Sequence, residues 1–429
     1  MNKKPVNGMR DVLPQEMEVR SYVLSVIRDT YRSYGFTEME TPVVESIENL
    51  TGKQGGENEK LIFKIMKRGE KLRISEAKEE NDLADSGLRY DLTMPLSRYY
   101  AQHEAELPKP FKALQIGPVF RAERPQKGRF REFYQCDIDI LGENTNLAEI
   151  ELILATSEAV SKLGFRNFVI RVNDRRLLKA MAASTGIQEE LYDDLFIALD
   201  KMDKIGTEGV REELLKLGME EAAADRLLAL FSCEEGQEGT DNIARICSFR
   251  EKLGETLASE VSDGLVEIIE TVEKTLQGRA GTPAFRLSFD PTLVRGMGYY
   301  TGPIFEISTP EFGSSVGGGG RYDEMVGRFL GQQVPACGFS IGFERIISIL
   351  MDQGFKVPAL KEKTAYLLDK RLSPDQVSAV MCKAEEERAK GATVLVQKMA
   401  KNRKFQREML EAAGYACIVD FYADRPISG

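Results

Sequence analysis

Apolar positions first recur at helical spacing in Val19, Tyr22, Val23, Val26, Ile27, Tyr31 and Tyr34. Pro14 precedes them and Gly35 follows, the residues that suit the opening and the end of a helix, so one helix is predicted here. Residues 39–45 read as extended. The charged, poorly periodic stretch 52–87 reads as a loop carrying a short hairpin around residues 61–74. From 112 to 142 two strand-like runs flank the basic, turn-forming stretch 124–128, which is the pattern of a hairpin.

Beyond residue 167 the pattern lengthens into Leu-, Ala- and Glu-rich amphipathic runs at 176–185, 212–230 and 241–276, which predict a helical insertion over 167–280. Strand-like sequence punctuated by glycine resumes over 285–342, followed by a helix at 343–353 and a linker at 354–360. The remainder alternates strand (365–368, 393–396, 415–421) with helix (374–390, 401–413), the pattern of a small α/β domain. The domain organisation read from this is a core over 1–166 and 281–353, an insertion over 167–280, and a C-terminal module over 361–429.

A chain of 429 residues exceeds the usual size of one hydrophobic core, in keeping with several domains. Its six cysteines show no spacing suited to a zinc site or a disulfide ladder, which fits a reducing cytosol and a cytoplasmic location. No apolar run follows the N-terminal lysines and no uncharged stretch reaches membrane-spanning length, so neither export nor a membrane partner is expected. The net charge of -10 argues against a general nucleic-acid binder. It leaves room for local basic surfaces at 121–131 and 398–407. His103 is the only histidine, which makes a Ser-His-Asp triad or a multi-histidine metal site improbable. Chemistry here must run on carboxylates, arginines and bound ligands, and no residue is assigned to a metal.

In the second strand of the hairpin, period-two alternation places Arg129, Arg131, Phe133, Gln135, Asp137 and Asp139 on one side. Phe130, Tyr134, Cys136, Ile138 and Ile140 fall on the other, which is core-like apart from Glu132. Val119, Arg121 and Glu123 share a face of the first strand. A face with so many charges is costly to bury without a ligand. Periodicity alone leaves open whether it is a ligand site or the solvated side of a hairpin.

The stretch from Phe120 to Gly142, FRAERPQKGRFREFYQCDIDILG, resembles motif 2 of the class II aminoacyl-tRNA synthetases, and specifically of the histidyl-tRNA synthetase family. Around it stand Gly8-Met9-Arg10-Asp11, a motif 1-like Thr41-Pro42-Val43-Val44-Glu45, and Leu88-Arg89-Tyr90-Asp91-Leu92-Thr93. Leu293-Val294-Arg295-Gly296, Tyr299-Tyr300, Gly319-Gly320-Arg321-Tyr322-Asp323 and a motif 3-like GFSIGFER ending at Arg345 follow. The Arg295 and Tyr299-Tyr300 signature resembles the histidine-specific branch.

This resemblance implies an α+β fold: a class II antiparallel sheet flanked by helices, with a helical insertion and a small C-terminal α/β domain similar to an anticodon-binding domain. It implies activation of L-histidine by ATP and transfer to the 3′ end of tRNA(His). Arg121, on the α-phosphate, and Arg295, on the opposite flank, become the catalytic pair. For ATP it implies Glu123 on the adenine amino group, Phe133 stacked on the base, Arg129, and Arg345 near the γ-phosphate, with Mg2+ bridging the phosphates. For histidine it implies Asp139 on the ring N–H, Tyr300 and Tyr299 on the other edge, and Asp91, Thr93 and Gln135 on the ammonium. Leu92, Arg121 and Arg295 complete the histidine-binding set. Arg124, Gln126 and Lys127 of the hairpin loop are implied to meet the tRNA end, and motif 1 implies a homodimer. With no protein histidine at hand, the bound aminoacyl phosphate is the expected base in transfer.

Two departures stand out. Gly298 sits where the family usually has an aspartate, and the C-terminal module lacks an obvious final strand and helix. A histidine-sensing relative without charging activity, the regulatory subunit of ATP phosphoribosyltransferase, is the competing reading. That class usually lacks the arginine matching Arg295, an intact motif 2 and the C-terminal module. Taken singly, residues 317–320 would mark a turn, Asp91 a helix cap, and the paired tyrosines core.

Overall fold

The computed structural model describes residues 2–51, 60–78, 80–126, 128–231, 241–278, 284–294, 299–310, 315–358 and 363–426. They form two compact units, one of Met1–Asp11 with Val23–Gln353, the other of Val12–Tyr22 with Gly354–Gly429.

The strands of the larger unit are β1 (Thr37–Met39), β2 (Val44–Ser46), β3 (Lys64–Met66), β4 (Ala84–Leu88), β5 (Phe111–Phe120), β6 (Glu132–Leu141), β7 (Phe168–Asp174), β8 (Phe285–Phe289), β9 (Pro303–Ser308), β10 (Ser315–Arg321) and β11 (Ala336–Gly342). Eight of them build one sheet in the order β1-β5-β6-β11-β10-β9-β7-β8. It is antiparallel except at its margins, where β1 runs parallel to β5 and β8 to β7. The expected hairpin is β5 and β6, paired so that Gly117 faces Gln135 and Ala113 faces Asp139. Cys136, Ile138 and Ile140 are buried on the apolar side of β6. Helices Leu147–Lys162 and Phe343–Asp352 cover sheet strands with their apolar sides, so the class II fold expected from the resemblance is present.

Two local expectations are corrected. The stretch 61–74 does not close on itself: β3 pairs with β4, which also pairs with β2, so its partner lies farther along the chain. The helical insertion starts at Arg175 rather than at 167, because β7 is an inner strand between β8 and β9. Phe168, Ile170 and Val172 alternate into the core at strand period. Asp174 ends the strand and caps the first insertion helix, accepting from the Arg176 backbone N–H at 2.8 Å. Helices follow to Gln277 before β8 returns beside β7.

Glycines 317–320, which in isolation suggest a turn, are instead the centre of β10. A Cβ on Gly319 would stand 2.0 Å from the Gly338 carbonyl oxygen, and one on Gly320 would stand 2.6 Å from that of Pro303. Only backbone fits between β9 and β11 at these positions.

In the smaller unit β12 (Lys363–Leu368), β13 (Thr393–Lys398) and β14 (Tyr415–Phe421) form a parallel sheet in the order β13-β12-β14. Helices Pro374–Ala389 and Arg403–Ala412 alternate with the strands as expected. Tyr366, Val380, Ala384 and Phe421 make one small core, and Ala365, Leu367, Met399 and Leu410 another.

Candidate active site

β6 brings Phe133, Gln135, Asp137 and Asp139, and the connection between β5 and β6 brings Arg121, Glu123 and Arg129, to one cavity of about 380 Å³. β10 and β11 supply its glycine wall, with Gly317, Gly318, Gly319 and Gly338. Asp91, Thr93, Tyr299, Tyr300, Tyr322 and Arg345 complete the lining. Much of the charged side of the hairpin therefore lines a cavity, although Arg129 remains exposed at its mouth. Its character changes along β6, with cations and an aromatic ring at the start and carboxylates at the far end. At strand rise, Phe133 and Asp139 lie roughly 20 Å apart.

At the cationic end, Arg121 donates from Nε to the Tyr90 carbonyl at 2.9 Å, and its guanidinium lies 5.2 Å from the centre of the Phe133 ring. A fork held at one nitrogen and backed by an aromatic face is preset for an anion. Arg345 donates to the Ser315 carbonyl. Burial, and then the positive charge of Arg129, lower its pKa, with Glu123 opposing. A buried guanidinium beside a second cation suits a site that takes negative charge. Glu344 accepts from the Tyr134 backbone N–H and from Arg10, each at 3.3 Å, while Arg10 lies over the Phe130 ring at 4.6 Å.

At the acidic end, Asp91 is 2% exposed. Its Oδ1 accepts at 3.2 Å from the N–H of Met94, in the first turn of the helix Thr93–His103, whose N-cap position is Leu92. Its Oδ2 is buried without a partner, as is Oε1 of Gln135. Two orphaned acceptors in one cavity are costly unless a donor arrives. Burial raises the Asp91 pKa against the pull of Arg121. Asp139 is pushed up to about 7 by burial, opposed by a hydrogen bond from the Tyr322 hydroxyl at 2.6 Å and reinforced by the Asp91 charge. Burial, then Asp139, hold Asp137 well above the ordinary carboxylate range. Tyr299 bonds to Thr93, and its ring stands edge-on to Tyr300 at 4.9 Å.

Behind the cavity, Arg89 is buried and donates to the Pro118 carbonyl at 2.9 Å and to the Thr41 carbonyl at 2.6 Å, tying the segment before Asp91 to β5 and to the motif 1-like stretch. Arg321 grips Glu149 through both carboxylate oxygens at 2.6 and 2.8 Å, which seats the neighbouring Tyr322.

Not every expected residue is gathered. Leu92 is 1% exposed and belongs to the core, offering the cavity no side chain, because it sits where the helix Thr93–His103 begins. Arg124 and Gln126 are exposed on the hairpin turn, outside the cavity. Lys127, Arg295 and Gly298 lie outside the described residues. The sequence motifs give no site role to Tyr322, Ser340, Tyr134 or the Arg10–Glu344 pair, since strand period reveals a face but not which remote residue meets it. Among the described residues no group of three His, Cys, Asp or Glu side chains gathers to hold a metal, and no helix is long and apolar enough to cross a membrane.

The comparisons with known proteins agree with this geometry. The histidyl-tRNA synthetase family model matches residues 8–346. The histidine–tRNA ligase of Leifsonia xyli subsp. xyli is 44% identical over 428 residues, covering 98% of this chain and 96% of that protein. That of Christiangramia forsetii is 36% identical, covering 86% and 81%. A crystal structure of histidyl-tRNA synthetase from Nostoc sp. PCC 7120 superposes with a TM-score of 0.78 at 26% identity, covering 97% of this chain and 90% of that one. The family-model match over residues 8–346, which spans every strand of the sheet and the whole lining of the cavity, together with relatives similar over nearly their full length, places the chain in the histidyl-tRNA synthetase family.

Proposed function

We infer that this chain is a histidine–tRNA ligase, which activates L-histidine with ATP and passes the histidyl group to the 3′ end of tRNA(His). The observation that carries the reading is the polarity of this cavity, cationic at one end and acidic at the other, which suits the two ends of a histidyl-adenylate. Its similarity to ligases over almost the whole chain supports the same reading.

In this reading the carboxylate of histidine attacks the α-phosphate of ATP, and pyrophosphate leaves. Arg121 holds the α-phosphate, where charge accumulates in the transition state, and Arg295 acts from the opposite flank. Phe133 stacks on the adenine, Glu123 accepts from its amino group, and Arg129 and Arg345 hold the outer phosphates. Mg2+ accompanies the nucleotide as counter-charge on its phosphates. The orphaned Asp91 Oδ2 and Gln135 Oε1 take the substrate ammonium, with Thr93 beside them. Asp139, backed by Tyr322, accepts from the imidazole N–H, and Tyr299 and Tyr300 close the other edge. A ligand without these donors would leave buried acceptors unpaired, which is how such a pocket discriminates.

Arg124, Gln126 and Lys127 are proposed to meet the tRNA acceptor end. In the smaller unit Arg403 and Arg407 are engaged with Asp420 at 2.7 and 2.8 Å. Phosphate contact there is assigned to the exposed Lys398, Lys401 and Lys404. A homodimer through the motif 1-like stretch and a cytoplasmic location belong to the same proposal. The competing reading, a histidine sensor, is disfavoured by the near full-length similarity to ligases and by an arginine-lined cavity end that a sensor of histidine alone does not need.

The test is histidine-dependent exchange of pyrophosphate into ATP by purified protein, with other amino acids as controls and Arg295→Ala alongside. Exchange with histidine alone, lost in the variant, is the expected result. Histidine binding without exchange would move the protein to the sensor class.

A further inference from the structure

Gln135 can serve an ammonium only with its amide oxygen turned toward it, and an amide can rotate to offer N–H groups instead. Its Nε2 donates to Asp137 Oδ2 at 3.2 Å and to Ser340 Oγ at 3.2 Å. Ser340 in turn hydrogen-bonds to Asp137, which lies directly opposite it across the β6–β11 pair. Both amide hydrogens are thereby engaged by acceptors, and Oε1 is the atom left buried and unpartnered. A rotated amide would set its oxygen against the Asp137 carboxylate. Asp137 itself is 4% exposed, and neither ATP nor the imidazole has been assigned to it.

We propose that Asp137, acting with Ser340, is a positioning residue that locks the Gln135 amide with its oxygen toward the substrate ammonium, and so sets selection for a free α-amino group. The inference rests on the functional reading above.

The test compares the affinity of the full-length protein for L-histidine and for its desamino analogue, 3-(imidazol-4-yl)propanoate, by calorimetry. Asp137→Asn, which can donate to the amide oxygen and so release the lock, is expected to weaken L-histidine about tenfold while changing the analogue less than about twofold. In pyrophosphate exchange the loss should appear in the KM for histidine and not in that for ATP. Adding Gln135→Glu to Asp137→Asn supplies an acceptor in either orientation and should restore most of the discrimination. Ser340→Ala, which keeps the carboxylate, should give a smaller loss of the same sign. Equal weakening of both ligands, no change in either, or no rescue by the second substitution would overturn the inference while leaving the ligase reading intact. Wild-type protein that binds neither ligand would overturn both.

Discussion

Tyr322 donates its phenolic hydrogen to Asp139 Oδ1 at 2.6 Å, across 183 residues of sequence. The two meet because Asp139 faces Gly338 in the β6–β11 pair, and Tyr322 follows directly on β10, the next strand over. The bond opposes the rise in Asp139 pKa that burial causes. Tyr322→Phe should therefore raise that pKa further. Histidine affinity, which in the proposed reading needs the ionised carboxylate, should be lost on acidification at a pH about one unit higher than in wild type. The imidazole of the substrate titrates identically in both proteins, so the difference between the two pH profiles of KM reports Asp139.

The same carboxyl makes a prediction about stability. A folded pKa of about 7 lies above the ordinary unfolded value near 4, so the folded state holds this proton more tightly. The contribution of Asp139 to stability is then greatest below about pH 4 and is lost as pH rises through 7. Asp139→Asn should raise the melting temperature of the free protein by a few degrees at pH 8 and much less at pH 5, while weakening histidine binding. Thermal melts at both pH values check this, and an unchanged melting temperature at pH 8 would contradict it.

Gly338→Ala would place a methyl group 1.9 Å from Asp139 Oδ1. The sheet cannot yield that far, so the carboxylate must move. Histidine affinity should fall by about a hundredfold or more, with a stability loss of only about 1–3 kcal/mol. Calorimetric titration and a denaturant melt on the same sample would separate the two effects.

The Arg321–Glu149 pair is almost wholly buried, at 8% and 0% exposure. Arg321→Met alone leaves Glu149 charged without its partner and should cost about 3–5 kcal/mol. Arg321→Met with Glu149→Leu should recover most of that, because the expense lies in the uncompensated charge. A double variant no more stable than the single one in urea would show that the backbone carbonyls of Glu143 and Thr145, which Arg321 also serves, matter more than the pair.

Phe133→Ala and Arg345→Ala test the opposite end. Each should raise the KM for ATP about tenfold to a hundredfold and leave the affinity for histidine within about twofold. A comparable loss for histidine would mean that the cavity does not divide its ligands along β6.

Strand alternation carried the reading of β5 and β6 far, because a charged face opposite an apolar one is visible in Arg129 through Ile140 without any partner. It could not reveal pairings of long range. Residues 64–66 offer few clues that their partner is 84–88 rather than a neighbour within the same stretch. Short apolar periods also merge into adjoining helical sequence, which hides β7 at the head of the insertion that begins at Arg175. At the site, residues on one strand were legible as a set, including Asp137, whose task was not. The groups that complete them come from afar: Glu344 meets Arg10 across 334 residues. Leu92 shows the converse, since a residue beside two cavity-lining neighbours can still turn into the core.

The run of glycines in β10 and its neighbour Gly338 give the cavity its room by omission. A pocket bounded by bulky side chains can be enlarged by trimming one of them, and a lineage or an engineer can widen its choice of substrate that way. On this wall there is nothing to trim. Every single substitution there adds atoms, so the pocket can shrink or fill along that side but not grow, and drift at these positions ends in loss of binding before it reaches a larger amino acid.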